Sequence, residues 1–340
     1  MEADKGGNGK LKLLSETQLQ TTHKPRQLSI GVVIPTYLRP RYLANCLKRV
    51  WMQSHPPEQV VVVVRDEDQT SKEAVREFLE RIDGANGSIS VAPVSAPGFL
   101  PPLKAGVAAT RTDIVVFLDD DAEPLPDWLE RLERHYTDPS VGGVGGRCVN
   151  MDGDGEILYP PASEVGRFFW FGRVVGNMYR DSVPDGPRPV DFFMGGNMSY
   201  RRTLLEKVEI DLALNNNVAF NYEVDLGLQV KALGYRLIYD PQARVRHYSA
   251  PRPQAGLRTR NGSSIYWYSH NLLYITLKHL RGWKRMVAIA YSFLVGDRMA
   301  WGLGSALIDS VQWRRLLWLR EIGSAFAGKI RALQVCRRRL

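Results

Sequence analysis

Cysteine is scarce in this chain. Its 340 residues contain three, Cys46, Cys148 and Cys336. They are too few for a disulfide framework and too widely spaced for a zinc site, which points to a reducing compartment. Long apolar runs are missing as well. No stretch reaches the roughly 18–20 residues that a transmembrane helix requires. Residues 1–27 are polar and rich in Gly, Lys and Thr. They lack the apolar segment of a signal peptide and are expected to form a flexible tail. No internal repeat or low-complexity tract is visible.

Negative charge is in deficit: 36 acidic residues face 45 Lys and Arg, for a net charge of +9. Much of the excess lies late, at Arg244, Arg246, Arg252, Arg258 and Arg260, then Lys278, Arg281, Lys284 and Arg285, and finally Arg337, Arg338 and Arg339. Such a bias points to phosphates, an acidic membrane surface or nucleic acid, or to no more than a solvated basic face. A hydrophobic content of 44% and a charged content of 24% are those of a globular chain.

The most informative stretch is 113–124, Asp-Ile-Val-Val-Phe-Leu-Asp-Asp-Asp-Ala-Glu-Pro. Residues 114–118 have the composition of a strand buried on both faces. The run stops at three adjacent carboxylates, Asp119, Asp120 and Asp121, which repel one another unless positive charge stands nearby. A divalent cation such as Mg²⁺ or Mn²⁺ answers that need and commonly bridges to substrate phosphates. An acidic loop after a core strand is the plainer alternative.

Periodicity organises the front half. Apolar runs at 28–35, at 59–64 with five consecutive valines, at 88–94 and at 114–118 predict strands. Helical patterns at 39–53, 71–81 and 103–110 lie between them, with Ser71 as the expected cap of the second. This alternation predicts βαβ units and a mostly parallel sheet. A short helix over 126–136 and a glycine-rich strand over 141–149 follow. Residues 151–189 are irregular and are expected to form a loop region over the site. A helix is expected from Glu223 to Ala232, ended by Gly234, then a strand over 243–248 and an aromatic-rich helix over 264–279.

Five elements, in order, resemble glycosyltransferase family 2: Val-Val-Ile-Pro-Thr-Tyr-Leu-Arg-Pro at 32–40, the Asp after the valine strand, Phe-Leu-Asp-Asp-Asp-Ala-Glu-Pro, Gly-Gly-Asn-Met-Ser-Tyr-Arg-Arg at 195–202, and Tyr-Glu-Val-Asp-Leu-Gly-Leu at 222–228. His247 closes the series. The resemblance covers about 28–248. It implies a GT-A-type α/β fold, Rossmann-like with a mostly parallel sheet flanked by helices, over 28–250. A basic, aromatic-rich helical extension follows over 251–340.

The same resemblance implies the roles of individual residues. Pro35, Thr36, Tyr37, Arg39, Asp66 and Lys104 would contact a nucleotide-sugar donor, with Asp68 as an alternative base contact. Asp119 and Asp120 would add to that site, as would Gly195, Gly196 and Asn197, the glycines by letting backbone approach the sugar. Asp121 would hold Mg²⁺ or Mn²⁺ with Asp119 and His247. The family pattern Glu-Asp-x-Asp is Tyr222-Glu223-Val224-Asp225 here, which makes Glu223 the catalytic base and Asp225 the runner-up. The implied activity is an inverting, metal-dependent, non-processive transfer of one sugar, since the Gln-x-x-Arg-Trp motif of processive synthases is missing. The acceptor would be lipid-linked or a polysaccharide, on the cytoplasmic side and peripheral to the inner face of the plasma membrane. An anionic membrane surface is among the expected partners and nucleic acid is not. The C-terminal helices would either lie in the membrane interface or pack on the catalytic domain. A haloacid-dehalogenase-type phosphatase and a nucleotidyltransferase match the motif positions poorly. A catalytically degenerate scaffold that binds membrane or nucleic acid is the alternative outside enzyme chemistry.

Overall fold

The computed structural model describes residues 28–82, 88–216, 219–250, 261–297, 299–313 and 318–339. The expected tail at 1–27, and Arg252, Arg258 and Arg260 of the basic cluster, lie outside the described residues.

The front half alternates as its periodicity predicts: β1 (Ile30–Thr36), α1 (Pro40–Trp51), β2 (Gln59–Arg65), α2 (Gln69–Arg81), β3 (Ile89–Val94), α3 (Leu100–Ala109) and β4 (Ile114–Leu118). Then come β5 (Ala122–Pro124), α4 (Trp128–Glu133) and β6 (Val141–Asp152). The irregular stretch contains four short strands, β7 (Gly155–Glu156), β8 (Arg167–Phe168), β9 (Val174–Val175) and β10 (Arg188–Val190). The domain is completed by β11 (Asn197–Arg201), α5 (Arg202–Leu205), α6 (Tyr222–Ala232) and β12 (Arg236–His247). Four helices follow: α7 (Gly262–His279), α8 (Gly282–Leu294), α9 (Leu303–Trp313) and α10 (Trp318–Arg339).

Strands β3, β2, β1 and β4 are parallel neighbours. Beyond them the sheet turns mixed. β11 runs antiparallel to both β4 and β6, and β12 is parallel to β6. The parallel half follows from its sequence, because strands buried on both faces read as continuous apolar runs. In β2, Val61 and Val63 face one core cluster and Val60, Val62 and Val64 face the other. In β4, Val115 and Phe117 face the first, and Ile114, Val116 and Leu118 the second. That alternation determines where the acidic residues after Leu118 begin to point.

The second helix begins earlier than its periodicity suggests. Its cap is Asp68, not Ser71: the buried Asp68 carboxylate accepts from the Ser71 amide at 3.0 Å and from the Thr70 hydroxyl at 2.8 Å. The same carboxylate accepts from the Leu38 amide at 2.6 Å, where Leu38 has a φ of 55°. Asp68 therefore joins a helix start to the turn after β1.

The C-terminal helices are seated unevenly on the domain. Tyr274 of α7 and Ala332 and Cys336 of α10 lie in the main core, whereas α8 leaves large apolar side chains exposed. All three cysteines are free and buried. Among the described residues no helix is long and apolar enough to cross a membrane.

Replacing the cap by Asp68→Ala should lower the unfolding free energy by about 2 kcal/mol, read from the denaturant midpoint. Burial opposes ionisation of Asp68, but its hydrogen bonds outweigh that and hold the carboxyl below its ordinary range. The wild-type advantage should accordingly be full above the unfolded-state value of about 4 and shrink as pH falls below it. An equal advantage at acidic and neutral pH would contradict this role.

Candidate active site

Three carboxylates at the end of β4 need an arrangement that keeps them apart and compensated. Asp120 continues the side of Leu118 and is buried, accepting from the Thr36 hydroxyl at 2.7 Å and from Arg39 Nη1 at 2.8 Å. The same Nη1 lies 3.1 Å from Asp121 Oδ2, and Nη2 donates to the Ala250 carbonyl at 2.7 Å. Burial alone would weaken Arg39 as a cation, but the charges of Asp120 and Asp121 more than restore it. Burial pushes Asp120 up to about 6 despite the opposing charge of Arg39.

Asp121 turns away from the strand line because β5 starts at the next residue and pairs with β12. Ala122 stands opposite His247 in that pairing. His247 Nε2 consequently lies 3.3 Å from Asp121 Oδ1 and 3.7 Å from Asp119 Oδ2. The Ala250 amide donates to Asp121 Oδ2 at 2.8 Å. Burial raises Asp121, yet the hydrogen bond and charge of His247, together with Arg39 and Ala250, hold it well below the usual carboxylate range. Burial would also lower His247, but Asp119 and Asp121 outweigh it and push the imidazole up to about 9.

Asp119, Asp121 and His247 offer two oxygens and one nitrogen, all within 4.8 Å of one another. Adjacent ligands around an ion with bonds of roughly 2.1 Å sit about 3 Å apart, so these three side chains suit a divalent cation. The donor set of carboxylates and one imidazole is compatible with Mn²⁺.

Glycine brings a second segment against this cluster. A Cβ on Gly196 would stand 2.9 Å from Asp119 Oδ2, and one on Gly195 would stand 2.3 Å from the Tyr222 hydroxyl oxygen. The 195–196 backbone thus passes between Asp119 and the first residue of α6. Glu223, half-buried, follows Tyr222 at that helix start. Asp225, two residues on, falls about 200° around the helix. It is buried against α7, 2.8 Å from Lys278 Nζ and 2.7 Å from His279 Nε2, and it accepts from Gln229.

The Glycosyl transferase family 2 profile matches residues 31–209. The chain belongs to that family. It is 25% identical over 235 residues to the glucosyl-dolichyl phosphate glucuronosyltransferase of Haloferax volcanii, covering 65% of this chain and 69% of that one. It is 22% identical over 215 residues to the dolichyl N-acetyl-alpha-D-glucosaminyl phosphate 3-beta-D-2,3-diacetamido-2,3-dideoxy-beta-D-glucuronosyltransferase of Methanococcus voltae, covering 57% of this chain and 66% of that one. The chain therefore spans about two thirds of the length of these relatives. A mannosyltransferase from Pyrobaculum calidifontis, solved with GDP-Man and Mn²⁺, superposes with a TM-score of 0.54 at 17% identity, over 91% of this chain and 88% of that one. It supports the GT-A-type fold.

Within this family 2 domain, several residues expected at the donor are committed to the fold. Thr36, Arg39 and Asp120 form the buried network described above, so their polar groups brace the acidic cluster. The Asn197 carboxamide is buried too: its oxygen accepts from Trp128 Nε1 at 2.9 Å, and its nitrogen donates to the Arg147 and Ala243 carbonyls at 3.1 and 2.9 Å. Asp68 is the helix cap, which leaves the exposed Asp66 as the carboxylate after β2. Pro35 and Tyr37 are half-buried, with the Arg65 guanidinium 5.4 Å from the Tyr37 ring centre. Lys104 is exposed on α3. The runner-up base Asp225 faces α7 in an ion-pair network and points away from the side that Glu223 takes.

Sequence reading missed two functions. Arg39 acts as the fixed cation of the cluster, and only the fold, which joins residues about 80 and 210 positions apart in sequence, could reveal it. Lys278 and His279 secure α6 through Asp225; their place in the last turn of a helix was visible, their partner was not. Asp68 three residues before Ser71 was a legible cap signal.

The raised His247 makes a pH prediction for the metal-free protein. A folded-state value above the unfolded one stabilises fully below about 6.5, and that contribution is lost as pH rises through about 9. In the presence of chelator, the thermal midpoint of the wild type should therefore fall more between pH 6.5 and 9 than that of His247→Gln. Parallel profiles would show that the imidazole carries no charge in this site.

Proposed function

We propose that the protein is an inverting, metal-dependent glycosyltransferase that moves one sugar from a nucleotide-sugar donor to a hydroxyl of a lipid-linked acceptor. The observation that carries the reading is the meeting of Asp119, Asp121 and His247 at the carboxyl end of β4, with Tyr222 at the start of α6 on the other side of the Gly195–Gly196 backbone and Glu223 next to it in sequence. Ligands in open α/β sheets bind beyond the carboxyl ends of the strands. The acceptor class is supported by the Haloferax volcanii and Methanococcus voltae relatives, whose names specify dolichyl phosphate-linked sugars.

In this reading Asp121, Asp119 and His247 would hold Mn²⁺ or Mg²⁺, which would supply positive charge to offset that of the departing diphosphate. Pro35, Tyr37 and Asp66 line the nucleotide end, where the Asp66 carboxylate accepts from a base N–H. His247, Arg39 and the Ala250 amide together keep Asp121 ionised and in place, and Arg39 does so without touching the donor. Glu223 takes the proton of the acceptor hydroxyl as its oxygen bonds to the anomeric carbon. The bond from that carbon to the diphosphate breaks, the nucleoside diphosphate leaves, and one displacement inverts the configuration. Nothing in this scheme requires the chain to hold its product for a second addition.

Glu223→Gln keeps the size of the side chain and removes its basicity. Single-turnover kinetics should show transfer slowed by roughly 10²–10⁴-fold, with donor affinity within a few-fold of wild type. A rate within threefold of wild type would exclude Glu223 as the base.

A further inference from the structure

Helix α8 has a face that is left exposed among the described residues. Trp283, Met286, Val287, Ala290 and Leu294 follow one another at helical spacing and are all exposed, with Trp283 at 63%, Met286 at 65% and Leu294 at 58%. The opposite side is seated: Ala288 is buried, and the Arg285 guanidinium donates to the Leu277 and Leu280 carbonyls. A soluble helix normally shows the reverse pattern, with its apolar stripe inward.

A second element extends this face. The hairpin of β8 and β9 carries Phe169, Trp170 and Phe171 at its tip. Trp170 is 47% exposed, and its ring lies 5.3 Å from that of Trp283. Phe171 packs on Tyr291 of α8 at 4.9 Å. Gly172, at φ +90°, fits the tip against α7 and α8, where a Cβ would come within 3.0 Å of Thr276 and 3.3 Å of Ala288. The tip is therefore fixed beside α8, and the two tryptophans form one projecting aromatic pair.

Charge decides what this face meets. Arg173, Arg281 and Lys284 are exposed around it, and α8 has no acidic residue. An exposed apolar stripe with tryptophan and a basic edge is the arrangement of a helix lying in the headgroup region of a bilayer, where indole rings settle and anionic lipids attract Lys and Arg. We propose that the outward face of α8, with Trp170 at the adjoining hairpin tip, docks this protein on an anionic lipid bilayer. The docking deepens the transferase reading, on which it rests only for its purpose: it would hold the catalytic domain at the surface that presents a lipid-linked acceptor.

The test is co-sedimentation of the full chain with vesicles of phosphatidylcholine alone and with about 30 mol% phosphatidylglycerol, without donor or acceptor. Wild type should partition at least about tenfold more strongly onto the anionic vesicles and detach as salt approaches about 0.5 M. Trp283→Ser combined with Met286→Ser should lose that partitioning by about tenfold at an unchanged thermal midpoint. Lys284→Glu, at the exposed edge, should weaken binding to the anionic vesicles alone and carries the test should the double variant unfold. Equal binding of wild type to both vesicle types, or none to either, would overturn the proposal. So would a chain that ignores vesicles but self-associates through this face, with the double variant monomeric by sedimentation velocity. Because no sugar chemistry enters the assay, a failure here leaves the transferase reading standing. A chain that binds vesicles but no nucleotide fails that reading alone.

Discussion

The site depends on one guanidinium. Arg39 reaches across from the start of α1 to Asp120, Asp121 and the Ala250 carbonyl, so a single fixed cation ties the first strand's turn, the acidic strand end and the segment after β12. Without it, three consecutive carboxylates at the end of a buried strand would repel one another and shed charge by protonation. With it, and with His247 and the Ala250 amide, Asp121 remains ionised while buried. Such a group is costly to remove, because the buried Asp120 would keep only the Thr36 hydroxyl, and Asp121 only His247 and the Ala250 amide.

The mixed half of the sheet gives this arrangement its shape. Antiparallel β11 lies beside β4, which carries Gly195 and Gly196 past Asp119. The short β5 pairs with the end of β12, which sets His247 opposite Ala122. Asn197 then links α4, β6 and β12 through one carboxamide. Site geometry is thus a consequence of strand pairing, and the side chains that look most like ligand contacts in sequence are partly the bolts that hold those strands together.

Much of the fold was legible because its signals are local. The valines of β2, the apolar run of β4 and the helical spacing of α1 and α2 each follow from burial on one or two faces. The Asp119–Asp121 motif and the Tyr222–Asp225 segment were legible for the same reason, being short and contiguous. The pairing of β5 with β12 was not, since three residues carry no periodicity. Nor was the division of labour within a motif: that Asp225 turns to Lys278 and His279, or that Thr36 and Arg39 serve Asp120, depends on partners that only the folded chain brings near. The exposed stripe on α8 was present in the spacing of Trp283, Met286 and Leu294, but spacing alone does not tell which face of a helix is covered.

The most direct test of the account is the metal dependence of nucleotide binding. Thermal midpoints should be measured for wild type and Asp121→Ala with GDP and UDP, each with and without Mn²⁺. The account predicts that at least one nucleotide raises the wild-type midpoint by several degrees only when Mn²⁺ is present, and that Asp121→Ala, still folded, shows no such rise. A shift of the same size without metal, or one retained in Asp121→Ala, would contradict a metal-bridged diphosphate site built on this carboxylate.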